Sequence, residues 1–338
     1  MKTIFTLLLF LFTISLFAQM QPGTWLLGGG AGAGKTLNIP EDNFNIGFYP
    51  QIAYLFSKHL MAGAAFQYSY DKYNNQSDGS TIAISPFIRY YLSKENTRWN
   101  WFFQTSYFYQ RYQYNDPDFK SVSNYSTLSV GGGFDYFLNS NIALENELQY
   151  EMVFVEGQNG NNLILDASLK FFLPPSSQDT SKNIAIEKGA RLIGFTARGA
   201  WNNFNHFEND YAYLSINPTL GFFITSRLVI GSGLFLGFAN QNSIVELQPF
   251  TRYYFGKQNI RFQPFATLSA NTRFQLADKT SESSFFNLDV NGGIGADFFL
   301  TRNVALEGLL QLNGNQVEDE TNNRNFLNFN IGFQFFLD

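Results

Sequence analysis

The sequence predicts an all-β fold: an antiparallel up-and-down transmembrane β-barrel made of two tandem eight-stranded units, with one sixteen-stranded barrel as the alternative. Three observations predict it. The first is alternation. From Phe286 to Leu300, Phe286, Leu288, Val290, Ile294, Ala296, Phe298 and Leu300 fall on one face, and Asn287, Asp289, Asn291 and Asp297 fall on the other. A period of two held this long belongs to a strand far longer than the usual ~5–6 residues. The second is repetition of long blocks in conserved order. The third is a regular exchange of short turns and long polar loops.

Composition sets the outer bounds. The chain has 338 residues, 45% apolar, 18% aromatic and only 14% charged, whereas soluble domains carry about 25% charged residues. The aromatic load excludes a disordered chain. A net charge of -5 argues against a nucleic-acid partner. The absence of Cys removes disulfides, thiolate zinc sites and thiol catalysis together, and two His residues, His59 and His206, leave little for a metal cluster. No cofactor is expected.

The N-terminus reads as a targeting segment. Lys2 supplies the positive start, Ile4 to Phe17 is almost wholly apolar, and Phe17-Ala18-Gln19 suggests cleavage after Ala18. No later apolar run approaches the ~18 residues of a membrane helix. Residues 1–18 are therefore expected to be a cleaved signal peptide. The expected units follow at 19–173 and 189–338, joined by a polar linker at 174–188 that contains Pro174-Pro175-Ser176-Ser177.

The repeat can be followed block by block. Pro86-Phe87-Ile88-Arg89-Tyr90-Tyr91 matches Pro249-Phe250-Thr251-Arg252-Tyr253-Tyr254 at an offset of 163. The stretch from Asp135 to Glu145 matches Asp297 to Glu307 at an offset of 162, and Lys170-Phe171-Phe172-Leu173 matches Gln334-Phe335-Phe336-Leu337 at 164. Strands are expected near 24–34, 44–56, 60–71, 80–92, 98–111, 124–138, 142–155 and 162–173, and again near 190–201, 211–224, 228–239, 243–255, 260–274, 284–300, 303–316 and 325–337. Tight connections such as Ser57-Lys58-His59, Asn139-Ser140-Asn141 and Thr301-Arg302-Asn303 alternate with longer ones such as Tyr112 to Ser123 and Asn202 to Asp210. Membrane barrels place short turns on the periplasmic rim and long loops outside.

The Gly-rich first strand from Gly28 to Gly34, the Pro-Phe-x-Arg-Tyr-Tyr strand, the Gly-Gly-x-x-x-Asp strand at Gly292 to Asp297 and a final strand ending in aromatics carry a resemblance. The chain resembles the eight-stranded outer-membrane β-barrel family, the OmpA-like and OmpX-like barrels, present twice. Phe335 and Phe336 resemble the terminal signal read by the barrel-assembly machinery, although Asp338 departs from an aromatic last residue. The resemblance implies a location in the cell outer membrane, with outer-membrane lipid and that machinery as partners and the loops outside. It does not specify a task, because one fold hosts many.

Inward positions bear on closure. If Ile88 and Tyr90 face lipid, then Phe87, Arg89 and Tyr91 face inward, and Phe102, Phe137 and Phe172 join them. Phe265, Phe299 and Phe336 do the same in the second unit. Inward aromatics suit a filled eight-stranded barrel, whose interior side chains just fill it. Arg89, Glu145, Glu147 and Lys170 are expected to form an inward network in one unit, and Arg252 with Glu307 in the other, because buried charges must be paired.

Other motifs read as decoys. Gly29 to Thr36 matches G-x-x-x-x-G-K-[ST], yet a strand follows where the phosphate site needs a helix. His206 lies in a long loop with Glu208 and Asp210, while Ser215 sits deeper in the next strand. Glu318-Asp319-Glu320 lacks cation-ligand spacing. Outward Tyr90, Trp99, Trp101 and Tyr136, with Tyr253, Phe262 and Phe298, read as an interfacial aromatic girdle. The expected function is a non-enzymatic outer-membrane barrel anchoring external loops for surface interaction or envelope stability. The alternatives are a sixteen-stranded porin passing small solutes and an outer-membrane hydrolase with a loop histidine.

Overall fold

The computed structural model describes residues 20–37, 43–73, 77–92, 97–155, 158–175, 186–204, 211–239, 242–257, 260–277, 285–316 and 325–337. Among them lie sixteen strands and no helix. The first eight are β1 (Trp25–Gly28 and Ala31–Leu37), β2 (Phe44–Phe48 and Gln51–Leu55), β3 (Leu60–Tyr73), β4 (Ser77–Tyr91), β5 (Trp99–Asp116), β6 (Phe119–Phe137), β7 (Ile142–Val155) and β8 (Gln158–Leu173). The second eight are β9 (Arg191–Phe204), β10 (Tyr211–Phe223), β11 (Leu228–Ala239), β12 (Asn242–Tyr254), β13 (Phe262–Ala277), β14 (Phe285–Phe299), β15 (Val304–Gln316) and β16 (Asn325–Leu337). Strands adjacent in sequence pair antiparallel throughout, and the sheet closes on itself.

The closure differs at the two ends. Toward the long loops, β8 pairs with β9 from Gly160↔Phe204 to Ser168↔Thr196, and β16 pairs with β1 from Asn325↔Leu37 to Ile331↔Ala31. All sixteen strands form one ring there. Toward the short turns, β8 leaves β9 and pairs with β1 through Trp25↔Leu173, Leu26↔Phe172 and Leu27↔Phe171. In the same way β16 leaves β1 and pairs with β9 through Arg191↔Leu337, Leu192↔Phe336 and Ile193↔Phe335. The barrel thus forks: one sixteen-stranded body divides into two eight-stranded legs. The expectation of two separate barrels is corrected, because nine cross-half pairs join β8 to β9. The alternative, one sixteen-stranded barrel, describes the closure of the sheet, and the eight-stranded form survives only in the legs.

Four strands change partner at one level, and their sequences suit the exchange. Gly29 adopts φ +93°, and a Cβ there would sit 1.7 Å from the Tyr49 carbonyl oxygen, so only glycine fits. Gly30 exchanges hydrogen bonds with Tyr49, with N–O distances of 3.3 and 2.7 Å, which ties the break in β1 to the Tyr49-Pro50 break in β2. Where the ladder parts, side chains substitute: Gln334 Nε2 donates to the Ile193 carbonyl at 3.3 Å.

Between the legs lies an apolar wall. Ile142, Phe171, Val304 and Phe335 are buried together, flanked by Leu27, Leu169, Leu173, Ile193, Phe333 and Leu337. The Phe171 and Phe333 rings lie 5.7 Å apart. These are outward positions of both legs, which two separate barrels would turn to lipid. Elsewhere the outer surface is an exposed apolar belt that includes Ile84, Ile88, Phe103, Val130, Leu148, Ile230, Leu268 and Ile294. The expected girdle sits at the short-turn rim, where Trp99 packs on Tyr136 at 4.7 Å and Tyr90 is exposed.

Several boundaries differ from expectation, two of them most. The stretch Tyr112 to Ser123, expected as a loop, continues the ladder from Tyr112↔Ser123 to Asp116↔Phe119, turning only at Pro117-Asp118. Pro at such a turn has its φ already set, and the alternation of Tyr112 and Tyr114 with Gln113 and Asn115 carries the strand period to the tip. The expected linker also ends early, since Ile186 packs into the core of the second leg.

Truncation separates a packed wall from a lipid-facing one. Phe171→Ala is expected to cost about 3 kcal/mol or more, as in a protein core. Leu165→Ala, on the exposed face of the same strand, should cost under about 1 kcal/mol, because lipid tails replace the lost contacts. Urea titration in detergent micelles measures both, and equal costs would remove the wall between the legs.

Candidate functional site

Each leg is sealed by an ionic layer over an aromatic one, and the period-two alternation places both. In β4, Phe87, Arg89 and Tyr91 point inward. In β12, Arg252 and Tyr254 do the same while Tyr253 is exposed. Arg89 Nη1 lies 2.5 Å from Glu145 Oε2 and 3.7 Å from Asp135 Oδ2, and Nη2 lies 3.9 Å from Glu147 Oε2. Its Nε donates to Gln104 Oε1 at 2.9 Å, and its guanidinium carbon stands 3.8 Å above the Phe102 ring. Tyr91 Oη donates to Asp135 Oδ2 at 2.8 Å. Lys170 Nζ reaches Glu145 Oε1 at 3.3 Å.

The second leg carries the same arrangement. Arg252 Nη1 lies 2.5 Å from Glu307 Oε2 and 3.8 Å from Asp297 Oδ2, its guanidinium carbon 3.9 Å above the Phe265 ring. Tyr254 Oη donates to Asp297 Oδ2 at 2.7 Å. All six expected residues therefore lie in these two layers: Arg89, Glu145, Glu147 and Lys170 in one, Arg252 and Glu307 in the other. Tyr91 and Tyr254, read as inward from sequence, complete the layers together with Asp135, Asp297 and Gln104, which were not singled out. The signal was present, since Tyr91/Tyr254 and Asp135/Asp297 stand inside the repeated blocks.

Beneath the ions, Leu26, Leu55, Met61, Phe137 and Phe172 fill the first leg, and Leu192, Phe223, Phe299 and Phe336 fill the second. Each leg is also capped by the turn preceding its first strand. Met20 packs against one core and Ile186 belongs to the other. Gly23 and Gly189, at φ +93° and +95°, bend these turns, and their N–H groups donate to Leu55 and Phe223 at 2.8 and 2.9 Å. The sequence reading placed both turns outside the strands and missed the caps. Gly133 and Gly295 make room for the ring under each guanidinium: an added Cβ would lie 2.9 Å from Phe102 Cζ or 2.6 Å from Phe265 Cζ.

Above the first layer lies a polar cavity of about 660 Å³, lined by residues from Arg89 and Glu147 up to Tyr125, Glu151 and Arg198. The glycine-rich motif holds no phosphate-site geometry. Ala31–Leu37 is a strand on which Lys35 is exposed, so no helix follows the glycines. Ser215 Oγ donates to the Arg198 carbonyl at 3.3 Å, while His206, Glu208, Asp210 and the run Glu318 to Glu320 lie outside the described residues. His59 sits in a short turn, stacked on Tyr90 at 5.6 Å, with Nδ1 2.8 Å from the Tyr91 carbonyl oxygen. Among the described residues no cluster of His, Asp or Glu could hold a metal ion.

No protein-family model and no curated protein matches the sequence. Solved structures do resemble the fold. A bacterial polysaccharide outer membrane secretin shares 8% identity at a TM-score of 0.48, over 94% of this chain and 100% of that one. OccK2 from Pseudomonas aeruginosa shares 7% at 0.38, over 94% and 98%. The N-terminal β-barrel domain of Pseudomonas aeruginosa OprF shares 14% at 0.29, over 44% and 98%.

The ionic layer gives a coupled pair to test. Arg252→Met leaves Glu307 and Asp297 without their cation, Glu307→Gln leaves Arg252 with only the more distant Asp297, and each is expected to cost about 3–5 kcal/mol. The double variant should cost much less than the two summed, since groups in contact are not additive. Additive effects below about 1 kcal/mol, the behaviour of screened surface pairs, would show that these charges are hydrated.

Proposed function

We propose that the protein is a non-enzymatic integral outer-membrane barrel whose lumen opens toward the long loops and ends blind at the short turns. It anchors those loops for surface interaction or envelope stability. The observation that carries this reading is the double seal: in each leg a buried ion layer lies over a filled aromatic core and a capping turn. A conducting pore needs a continuous wet path, and these layers occupy the path in both legs. The apolar belt, the aromatic rim and the expected signal peptide support the outer membrane as the location, with its lipid and the barrel-assembly machinery as partners.

One observation favours the porin reading, namely the polar cavity above the first layer. Planar-bilayer conductance separates the two. The wild-type protein is expected to give no sustained pore of nanosiemens order. Removing part of the seal, as in Arg89→Ala with Phe102→Ala and Phe172→Ala, should open the first leg and raise ion current. Sustained wild-type conductance that the triple variant does not increase would favour the porin.

A further inference from the structure

The two legs end in the same backbone but not in the same charge. At the short turns, the N–H groups of Phe137 and Phe299 donate to the carbonyls of Arg98 and Arg261 at 3.0 and 2.8 Å. Those of Tyr91 and Tyr254 donate to His59 and Arg227 at 2.7 and 2.8 Å, and those of Phe172 and Phe336 to Asn141 and Asn303 at 2.7 and 2.8 Å. These bonds, with those of Gly23 and Gly189, align the two ends residue by residue. Where the second leg has Lys188, Arg227 and Arg302, the first has Pro22, His59 and Ser140. Arg191, opposite Leu337, stands where Trp25 stands opposite Leu173. One position runs the other way, with Lys58 in the first leg and Ser226 in the second. Among the described residues, the end of the second leg carries six cations, these four with Lys257 and Arg261, against Glu187. The end of the first carries Lys58 and Arg98. A leg therefore turns, closes and caps itself without the added cations.

The cations gather around the capping turn. Arg302 Nη2 lies 3.9 Å from Glu187 Oε1, and Arg227 lines a small recess together with Ile186 and with Gly256, the neighbour of Lys257. All are exposed except Arg191, which is half-buried. Their height in the membrane follows from their neighbours. Ile224, Phe255, Ile260 and Phe262 are exposed members of the apolar belt. Ile260 and Phe262 flank Arg261, Phe255 comes two residues before Lys257, Ile224 comes three before Arg227, and Arg191 is paired with the exposed Phe222. At about 3.3 Å per strand residue, these cations lie within about 10 Å of the last belt residue. The headgroup layer on each side of a bilayer is about 5–8 Å deep. Long basic side chains rooted beside an apolar surface reach outward to the polar layer, which here is the level of the lipid phosphates.

We infer that the short-turn end of the second leg collects anionic phospholipid headgroups from the leaflet around it. The first leg, where Trp25 packs on Tyr54 at 4.8 Å in the place of Arg191, takes lipid without regard to charge. The row of exposed apolar side chains beside the cations favours lipid over a soluble acidic partner. The inference rests on the reading that the barrel spans a membrane.

The test reconstitutes the full chain in phosphatidylcholine bilayers containing spin-labelled phosphatidylglycerol or spin-labelled phosphatidylcholine; the immobilised fractions give the relative affinity for the protein surface. Phosphatidylglycerol is expected to be favoured about fivefold at low salt, the worth of one basic side chain at a lipid surface. The preference should fade at about 1 M salt, where the Debye length is about 3 Å. The triple variant Arg191→Trp, Arg227→His and Arg302→Ser copies the first leg, and a heat-dependent gel shift checks its fold. At about pH 8, where the introduced imidazole is neutral, it should lose most of the preference. Lys58→Gln with Arg98→Gln removes the cations of the first leg and should leave the preference intact. No preference in the wild type, a preference that survives in the triple variant, or an equal loss in the first-leg variant would each overturn the inference. Binding of polyglutamate by a chain without lipid preference would also overturn it and assign the face to a soluble partner. A folded barrel that does not enter the bilayer would sink the membrane-spanning reading and the inference with it, whereas an inserted barrel without preference would sink the inference alone.

Discussion

Every backbone N–H and C=O at membrane depth must find a partner within the protein, because hydrocarbon offers none. The rest of this structure depends on that constraint. Dividing one sixteen-stranded ring into two eight-stranded legs would expose four strand edges unless all four exchange partners together. They do: β8 passes from β9 to β1 as β16 passes from β1 to β9. Among the described residues no strand is left with an open edge except over the few residues of the crossing, where glycines and the Gln334 side chain lie. The outward faces of the legs then meet, and Phe171, Phe335, Ile142 and Val304 become a core where isolated barrels would face lipid.

The fork also explains the character of the interior. An eight-stranded ring is narrow enough for its inward side chains to meet and fill it, so Arg89 and Arg252 can each lie against a ring, a Tyr hydroxyl and carboxylates within one layer. Above the fork all sixteen strands close one ring. Polar groups there line a cavity. Width, set by strand number, decides which inward charges can meet across the ring.

Much of this was legible in the sequence. Sixteen strands, the inward and outward faces, and the meeting of Arg89 with Glu145 and of Arg252 with Glu307 follow from alternation carried along strands in a fixed order. The partner exchange was not legible, for a physical reason. Leu26, Phe172, Leu192 and Phe336 keep their inward face whether β1 and β9 close on their own half or on the other. Both closures share one parity, so the period of two cannot choose between them. Inward Phe102 and Phe137 pointed to eight-stranded rings and were informative about the legs alone. The capping turns at Met20 and Ile186 lie outside any periodic segment, and the Tyr112 to Ser123 hairpin was hidden because its polar residues read as a loop.

The central claim is that one molecule holds both closures at once. The chain lacks Cys, so paired substitutions report cleanly. Leu163 lies opposite Trp201 across the halves, and Trp25 lies opposite Leu173 within the first half. Directly paired positions are close enough for a disulfide. In the quadruple variant carrying Leu163→Cys, Trp201→Cys, Trp25→Cys and Leu173→Cys, peptide mapping after oxidation should find both bridges, 163 to 201 and 25 to 173, in the same folded chain. A bridge only between 25 and 173 would mean two separate barrels, a bridge only between 163 and 201 would mean an undivided ring, and either would contradict the forked barrel.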